Sequence, residues 1–234
     1  RYAYATAGFR PEKMTPTPSS GEPSSALKTA LHTSTILLVF VSVFTALLSG
    51  VYTLAHPIIK ESSGSAKIMR LAHEILPTSA YDNTLLKDTV EIPATSALGQ
   101  NEASIAYRAR KDGKPVALIL QASAPDGYAG RIHLLLVVAP DGRLFGVRVL
   151  QHRETPGLGD YIDPKKDKNK KRPWIGQFTN ANPAAESERD WRVKKDGGRF
   201  DAMAGATVSP RAVIKAVRKA ALYVAANHEA LFKQ

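Results

Sequence analysis

Thr207 offers a hydroxyl behind a small, flexible Gly205-Ala206 pair, inside the stretch Asp201-Ala-Met-Ala-Gly-Ala-Thr-Val-Ser-Pro210. Ser209 suits a helix N-cap and Pro210 the first helical position. Beyond them, apolar residues recur at Val213, Ile214, Val217, Ala221 and Val224, which is helical spacing. A hydroxyl on an exposed turn at the positive end of a helix dipole is well placed to meet a phosphate. Small residues before a capped helix also make an ordinary tight loop, so residue types alone leave both readings open.

A second cluster, His152-Arg-Glu-Thr-Pro-Gly-Leu-Gly159, follows a predicted strand. Its proline and glycines make a turn that lets backbone approach a ligand closely. A flat heteroaromatic ring needs a slot, N–H donors for its carbonyls and apolar contact on its face. Thr155 to Gly159 can supply the donors and Leu158 the contact. A plain strand-to-loop connection has the same composition. His152 and Glu154 share one face of an extended chain, but two ligands do not complete a metal site. They read as a solvated pair, and neither a catalytic residue nor a metal site is expected.

The remainder of the 234-residue chain must position these clusters, and it is long enough for one membrane segment and one medium domain. Cysteine is absent, which excludes disulfides, thiolate zinc sites, cysteine-ligated iron–sulfur clusters and cysteine nucleophiles. No Asp, Glu, Lys or Arg occurs between Lys28 and Lys60, and Ile36 to Ala55 is predominantly apolar. A bilayer-spanning helix needs about 20 such residues, whereas the apolar core of a signal peptide has about 7–15. Residues 29–59 therefore read as a transmembrane helix with its flanks. Residues 1–28, rich in Pro, Ser and Thr, read as disordered, and residues 60–234 as a folded domain. Basic residues on the two sides of the span are too evenly balanced to orient it.

Glu61-Ser-Ser-Gly-Ser65 looks like a break, yet Ile68, Leu71, Ala72, Ile75 and Leu76 keep helical spacing as far as Pro77. Strands are expected over 103–110, 115–122, 131–139 and 143–150, joined pairwise at Lys111-Asp-Gly-Lys114 and Pro140-Asp-Gly142. Two hairpins with helices added argue for an α+β fold: an antiparallel sheet with flanking helices. The long irregular stretch after Leu150 is where function is expected in a compact domain. Net charge is +11, much of it in Lys165-Lys-Asp-Lys-Asn-Lys-Lys-Arg172. That run lacks aromatics for base stacking, so a nucleic-acid partner is not expected.

Asp201, Gly205, Ala206 and Thr207 resemble the D-x-x-[ST]-G-A-[ST] pattern of covalent FMN-binding domains, with Ala204 where Ser or Thr is usual. To these add His-x-Glu-Thr-Pro-Gly-Leu-Gly, Trp191, Lys194-Lys-Asp-Gly-Gly198 and Phe200, in this order and behind a membrane anchor. Together they resemble the G subunit of the Rnf (Rsx) ion-translocating electron-transport complex, a relative of the C subunit of the sodium-pumping NADH:quinone reductase. The resemblance runs from about Lys28 to the C-terminal helix, and residues 1–26 show none.

The resemblance implies FMN joined through its phosphate to Thr207 by a separate flavin transferase, whose recognition motif includes Asp201. It implies a flavin lined by Thr155, Pro156, Gly157, Leu158 and Gly159, beside Gly205 and Ala206. It further implies a single-pass protein of the bacterial inner membrane with its flavin domain on the periplasmic side. There the chain would be an electron-transfer subunit, relaying electrons with other subunits of a complex that works between ferredoxin and NAD. Lys194, Lys195 and Arg199, close in sequence to Thr207, either stand near the flavin and its phosphate or belong to a solvated charged turn. The alternative is a non-redox assembly or binding module that keeps the fold without flavin.

Overall fold

The computed structural model describes the backbone of residues 23–233 and the side chains of 27–52 and 64–233. Of the segment expected to be disordered, residues 1–22 lie outside the described residues, whereas 23–28 are helical, because the helix of the span extends back through them. Near Lys60 the chain divides into two compact units. In the first lies Leu27–Tyr52 of helix α1 (Pro23–His73), a stretch long and apolar enough to cross a membrane. None of that stretch is buried, whereas the core helix of a soluble protein would bury one face.

The second unit is built on a five-stranded antiparallel meander in the order β1 (Thr89–Ile92), β2 (Ser104–Lys111), β3 (Lys114–Ala124), β4 (Ile132–Val138) and β5 (Leu144–Gln151). Asp112 and Gly113 join β2 to β3 with φ of 49° and 72°, the two positive values that a type I′ hairpin turn requires. β1 was not expected. Its four residues are too few to show a period.

Successive side chains of a strand point to opposite faces, and both faces of this sheet are covered. Ala117 and Ile119 of β3, with Leu135 and Val137 of β4, pack against Ile68, Leu71, Ala72 and Leu76 at and just beyond the end of α1. Leu118, Leu120, Leu134 and Leu136 face the other way, into the core shared with α2 (Val208–Ala226). All five residues of the expected α2 stripe are buried there. Ala212, Ala216 and Ala220 are buried beside them, and their small side chains let the helix sit close to the sheet.

The short helix α3 (His228–Phe232) ends the described chain. Helix C-termini leave carbonyls without partners. Here Arg108 Nε donates to Leu231 O and Arg110 Nη2 to Phe232 O, each at 2.7 Å. Asp88 holds both guanidinium groups, at 3.1 Å from Arg108 and 2.8 Å from Arg110. Burial alone would raise the Asp88 carboxyl pKa, but hydrogen bonds from Arg108 and Arg110, reinforced by their charge, hold it below the usual range. A carboxylate depressed in the folded state stabilises the fold above its unfolded pKa of about 3.9 and loses that contribution as pH falls through the folded value. Asp88→Asn is therefore expected to flatten the acid limb of stability below about pH 4, as followed by chemical unfolding of the detergent-solubilised chain. An acid limb as steep as that of the wild type would contradict the assignment.

The irregular stretch from His152 to Thr207 has its own order. Short 3-10 turns lie at Gly159–Ile162, Trp174–Phe178, Glu188–Asp190 and Lys194–Asp196. A run of rings joins them: Tyr161 to Trp174 at 5.8 Å, Trp174 to Phe178 at 5.6 Å, Phe178 to Phe200 at 4.8 Å and Phe200 to Trp191 at 5.4 Å. These aromatics belong to the same core as α2, so the two glycine-bearing clusters rest on a packed base.

Candidate functional site

Thr207 is itself the N-cap residue of α2, which starts at Val208. The expected cap, Ser209, and Pro210 both fall inside the first helical turn and are buried. Pro210 is tolerated there because N–H groups in a first turn have no intrahelical acceptor. Thr207 is half-buried rather than on the fully exposed turn that was expected. Its hydroxyl makes no capping hydrogen bond. Instead Oγ1 accepts from Arg211 Nη1 at 3.1 Å, one turn along the helix.

Arg211 is gripped in turn by Asp196, whose two carboxylate oxygens accept from Nε and Nη2 at 2.7 Å each. Those hydrogen bonds hold the Asp196 carboxyl below its usual range. Arg211 is thus the cation that bonds the threonine hydroxyl. Lys194 pairs with Asp201 at 2.6 Å, and Arg199 pairs with Glu186 at 3.0 Å while lying over the Trp191 and Phe200 rings.

The two clusters meet at a cavity of about 130 Å³ lined by Tyr128, Thr155, Leu158, Gly159, Gly205, Ala206, Val208 and Ser209; Thr207 itself does not line it, although both of its chain neighbours do. Gly205 has φ of 80°, and a Cβ there would meet open space; the backbone is bare to whatever approaches. Leu158, Val208 and Tyr128 are 49%, 44% and 70% exposed, an apolar surface that a flat ring can cover. Of the residues expected around the ligand, Pro156 and Gly157 are exposed nearby but do not line the cavity. Asp201 lines a different cavity of about 690 Å³, with Lys171, Arg172 and Trp174.

The backbone donors differ from expectation at two places. Gly157 N–H donates to Asp160 Oδ1 at 2.9 Å and Leu158 N–H to Thr155 O at 3.1 Å. The loop uses both itself. Glu154 is not solvated either. It is 3% exposed, accepts from Ala129 N at 3.1 Å and takes a short hydrogen bond from the Ser209 hydroxyl. His152 Nδ1 accepts from Glu154 N at 3.1 Å. One buried carboxylate therefore ties three segments together: the 152–159 loop, the β3–β4 loop and the first turn of α2. On the other side of the motif, Tyr161 accepts from Met203 N and donates to Ala206 O, both at 3.1 Å. Burial pushes its phenol pKa up, which keeps the proton that the second bond needs.

Glu154, Ser209, Arg211 and Tyr128 were missed as site residues. Arg211 had a signal, since position i+4 after Thr207 faces the same side of a helix. Tyr128 had none.

A threonine hydroxyl at a helix head, beside a glycine-lined cavity with an apolar rim, fits a phosphate-bearing planar cofactor. Residues 127–222 match the family described as FMN-binding domain. These residues contain the whole site, on a chain with, among the described residues, one helix long and apolar enough to cross a membrane. The chain is 50% identical over 158 residues to the G subunit of the ion-translocating oxidoreductase complex of Pseudomonas aeruginosa, covering 68% of this chain and 72% of that one. Its identity to the G subunit of Pseudoalteromonas atlantica is 42% over 165 residues (70% and 74% of the two chains), and to that of Shewanella loihica 36% over 207 residues (88% and 95%). The chain belongs to the family of G subunits of ion-translocating oxidoreductase complexes.

Proposed function

We propose that this chain is the membrane-anchored flavin relay of an Rnf-type ion-translocating oxidoreductase, with FMN joined by a phosphoester to Thr207. Residues 60–234 are its flavin domain, on the periplasmic side of a single span. The observation that carries the reading is the Thr207 hydroxyl: free of any capping bond, at the head of a 19-residue helix, and 3.1 Å from a guanidinium.

FMN would supply one-electron carriage between partner subunits, so electron transfer itself needs no acid, base or nucleophile from the chain. What its residues supply is position and charge. The first turn of α2 turns N–H groups and the positive end of its dipole toward a phosphate at Thr207, and Arg211 adds a full charge with a fixed direction. Leu158, Val208 and Tyr128 would give the ring its apolar contact. A cavity of about 130 Å³ is small beside ordinary ligand pockets of about 300–1,000 Å³. A group held there would be covered only in part, as a carrier serving a donor and an acceptor requires. Asp201, exposed and lining a different cavity, belongs to the surface that a flavin transferase reads rather than to the ring pocket.

Arg211→Gln is expected to lower the flavinylated fraction by about tenfold, the scale of one charge-assisted hydrogen bond. Flavin fluorescence of the denatured band, normalised to protein, measures it; equal fluorescence would remove Arg211 from the site. The relay itself is tested in the purified complex, assembled with Thr207→Val in place of the wild-type chain. Turnover is expected to stop while the subunits stay together. Full turnover without flavin on this chain would leave it an assembly role only.

A further inference from the structure

The basic run after the His152–Gly159 cluster has no part in the site described above. Lys165, Lys166, Lys168, Lys170, Lys171 and Arg172 are all exposed, whereas the one acid among them, Asp167, is buried. Asp167 is occupied inside: Oδ1 accepts from Asn169 N at 2.9 Å and Oδ2 from Trp174 N at 2.6 Å. Among the described residues, none of the six cations pairs with a carboxylate, whereas Lys194, Arg199, Arg211 and Lys215 all do. The outward face of the loop is purely basic.

The loop is also held in shape. Asp163 Oδ1 accepts from Lys165 N at 2.9 Å and Asn169 Oδ1 from Arg172 N at 3.1 Å, while Lys170 Nζ reaches back to Lys165 O at 2.6 Å. The segment is fastened to the one that leads to Thr207. Trp174 Nε1 donates to Asp201 O at 2.6 Å, and Tyr161, on the near side of the loop, donates to Ala206 O. Lys171 and Arg172 share a cavity with Asp201, Ala202 and Met203. No apolar side chain occurs from residue 165 to 172, so the loop has nothing to insert into a bilayer.

We propose that Lys165–Arg172 is an electrostatic docking surface for an acidic face of another subunit of the complex, which it holds beside the flavin segment. The identity of the partner rests on the relay reading above. Unpaired like charges at this density repel one another, and a partner's carboxylates relieve that repulsion. Charges so placed steer and orient a partner more than they add affinity. They act over about 8 Å at physiological salt.

The test is the rate at which an amine-acetylating reagent labels Lys165, Lys166, Lys168 and Lys171, read by peptide mass spectrometry. In the intact complex in native membranes these lysines are expected to label about fivefold more slowly than in the full chain alone in phosphatidylcholine vesicles, with the difference shrinking at about 0.5 M salt. Adding phosphatidylglycerol to the vesicles should leave the lone chain's rates unchanged. Equal rates in the complex and in the lone chain would overturn the proposal. Protection by phosphatidylglycerol without other subunits would overturn it in favour of lipid headgroups. Flavin fluorescence of the same samples keeps the two readings apart. A protected loop on a flavin-free chain sinks the relay and not the docking surface, and an unprotected loop on a flavin-bearing chain does the reverse.

Discussion

Thr207→Val is expected to abolish covalent flavin completely while leaving the fold in place. Valine keeps the branched shape of threonine and removes only the hydroxyl. That hydroxyl makes no capping bond to α2, so the usual cost of losing a cap, about 1 kcal/mol, does not apply. The one bond lost, from Arg211, is to a guanidinium that Asp196 already holds by two others. Expressed with a flavin transferase, the wild-type band should fluoresce after denaturing electrophoresis and the variant band should be dark, at equal thermal stability. Thr207→Ser, which restores an oxygen, should recover part of the signal. A bright Thr207→Val band would place the flavin elsewhere, and a dark Thr207→Val chain that no longer folds would leave Thr207→Ser as the deciding variant.

Glu154→Ala is expected to have the largest effect on stability, a loss of about 3 kcal/mol. The substitution strands the buried Ser209 hydroxyl, at about 1–3 kcal/mol, and leaves the space of the buried carboxylate side chain unfilled; Ala129 is exposed, so its N–H can turn to water. It also loosens the site, because Glu154 is the tie between the 152–159 loop and the head of α2. Room there is already scarce: a Cβ on Gly159 would overlap both Ser209 Oγ and Glu154 Oε2. Glu154→Gln keeps the shape and one acceptor, so its cost should be nearer 1 kcal/mol. Chemical unfolding measures the two losses, and flavinylation should follow the same order. A Glu154→Ala chain as stable as the wild type would mean that the carboxylate does not hold these segments together.

The elements that depend on local patterns could be read from the residues. The apolar span, the Asp-Gly hairpin turn and the α2 stripe each repeat at a short period or carry a local turn signal, and each lies where it was expected. β1 escaped because four residues carry no period. The start of α2 was placed two residues late because Ser209-Pro210 has the form of a cap. The serine has another partner, Glu154, which lies 55 residues away in sequence. The same long-range bond explains why Glu154 looked like a solvated residue: its neighbours in sequence are polar, and its burial comes from segments that fold onto it. Lys194 and Lys195 looked close to Thr207 along the chain, yet α2 brings Arg211 to the hydroxyl instead. Sequence neighbourhood found the two clusters, and folding decided which side chains complete them.

What must hold is a bond between FMN and the oxygen of Thr207, and the mass of one peptide decides it. Trypsin acting on the wild-type chain, purified with its native partners, should release Phe200–Arg211. This peptide is expected to be heavier by the mass of FMN less one water, with fragmentation placing the addition on Thr207 and not on Ser209. The same peptide recovered at its unmodified mass from the active complex would refute the bond.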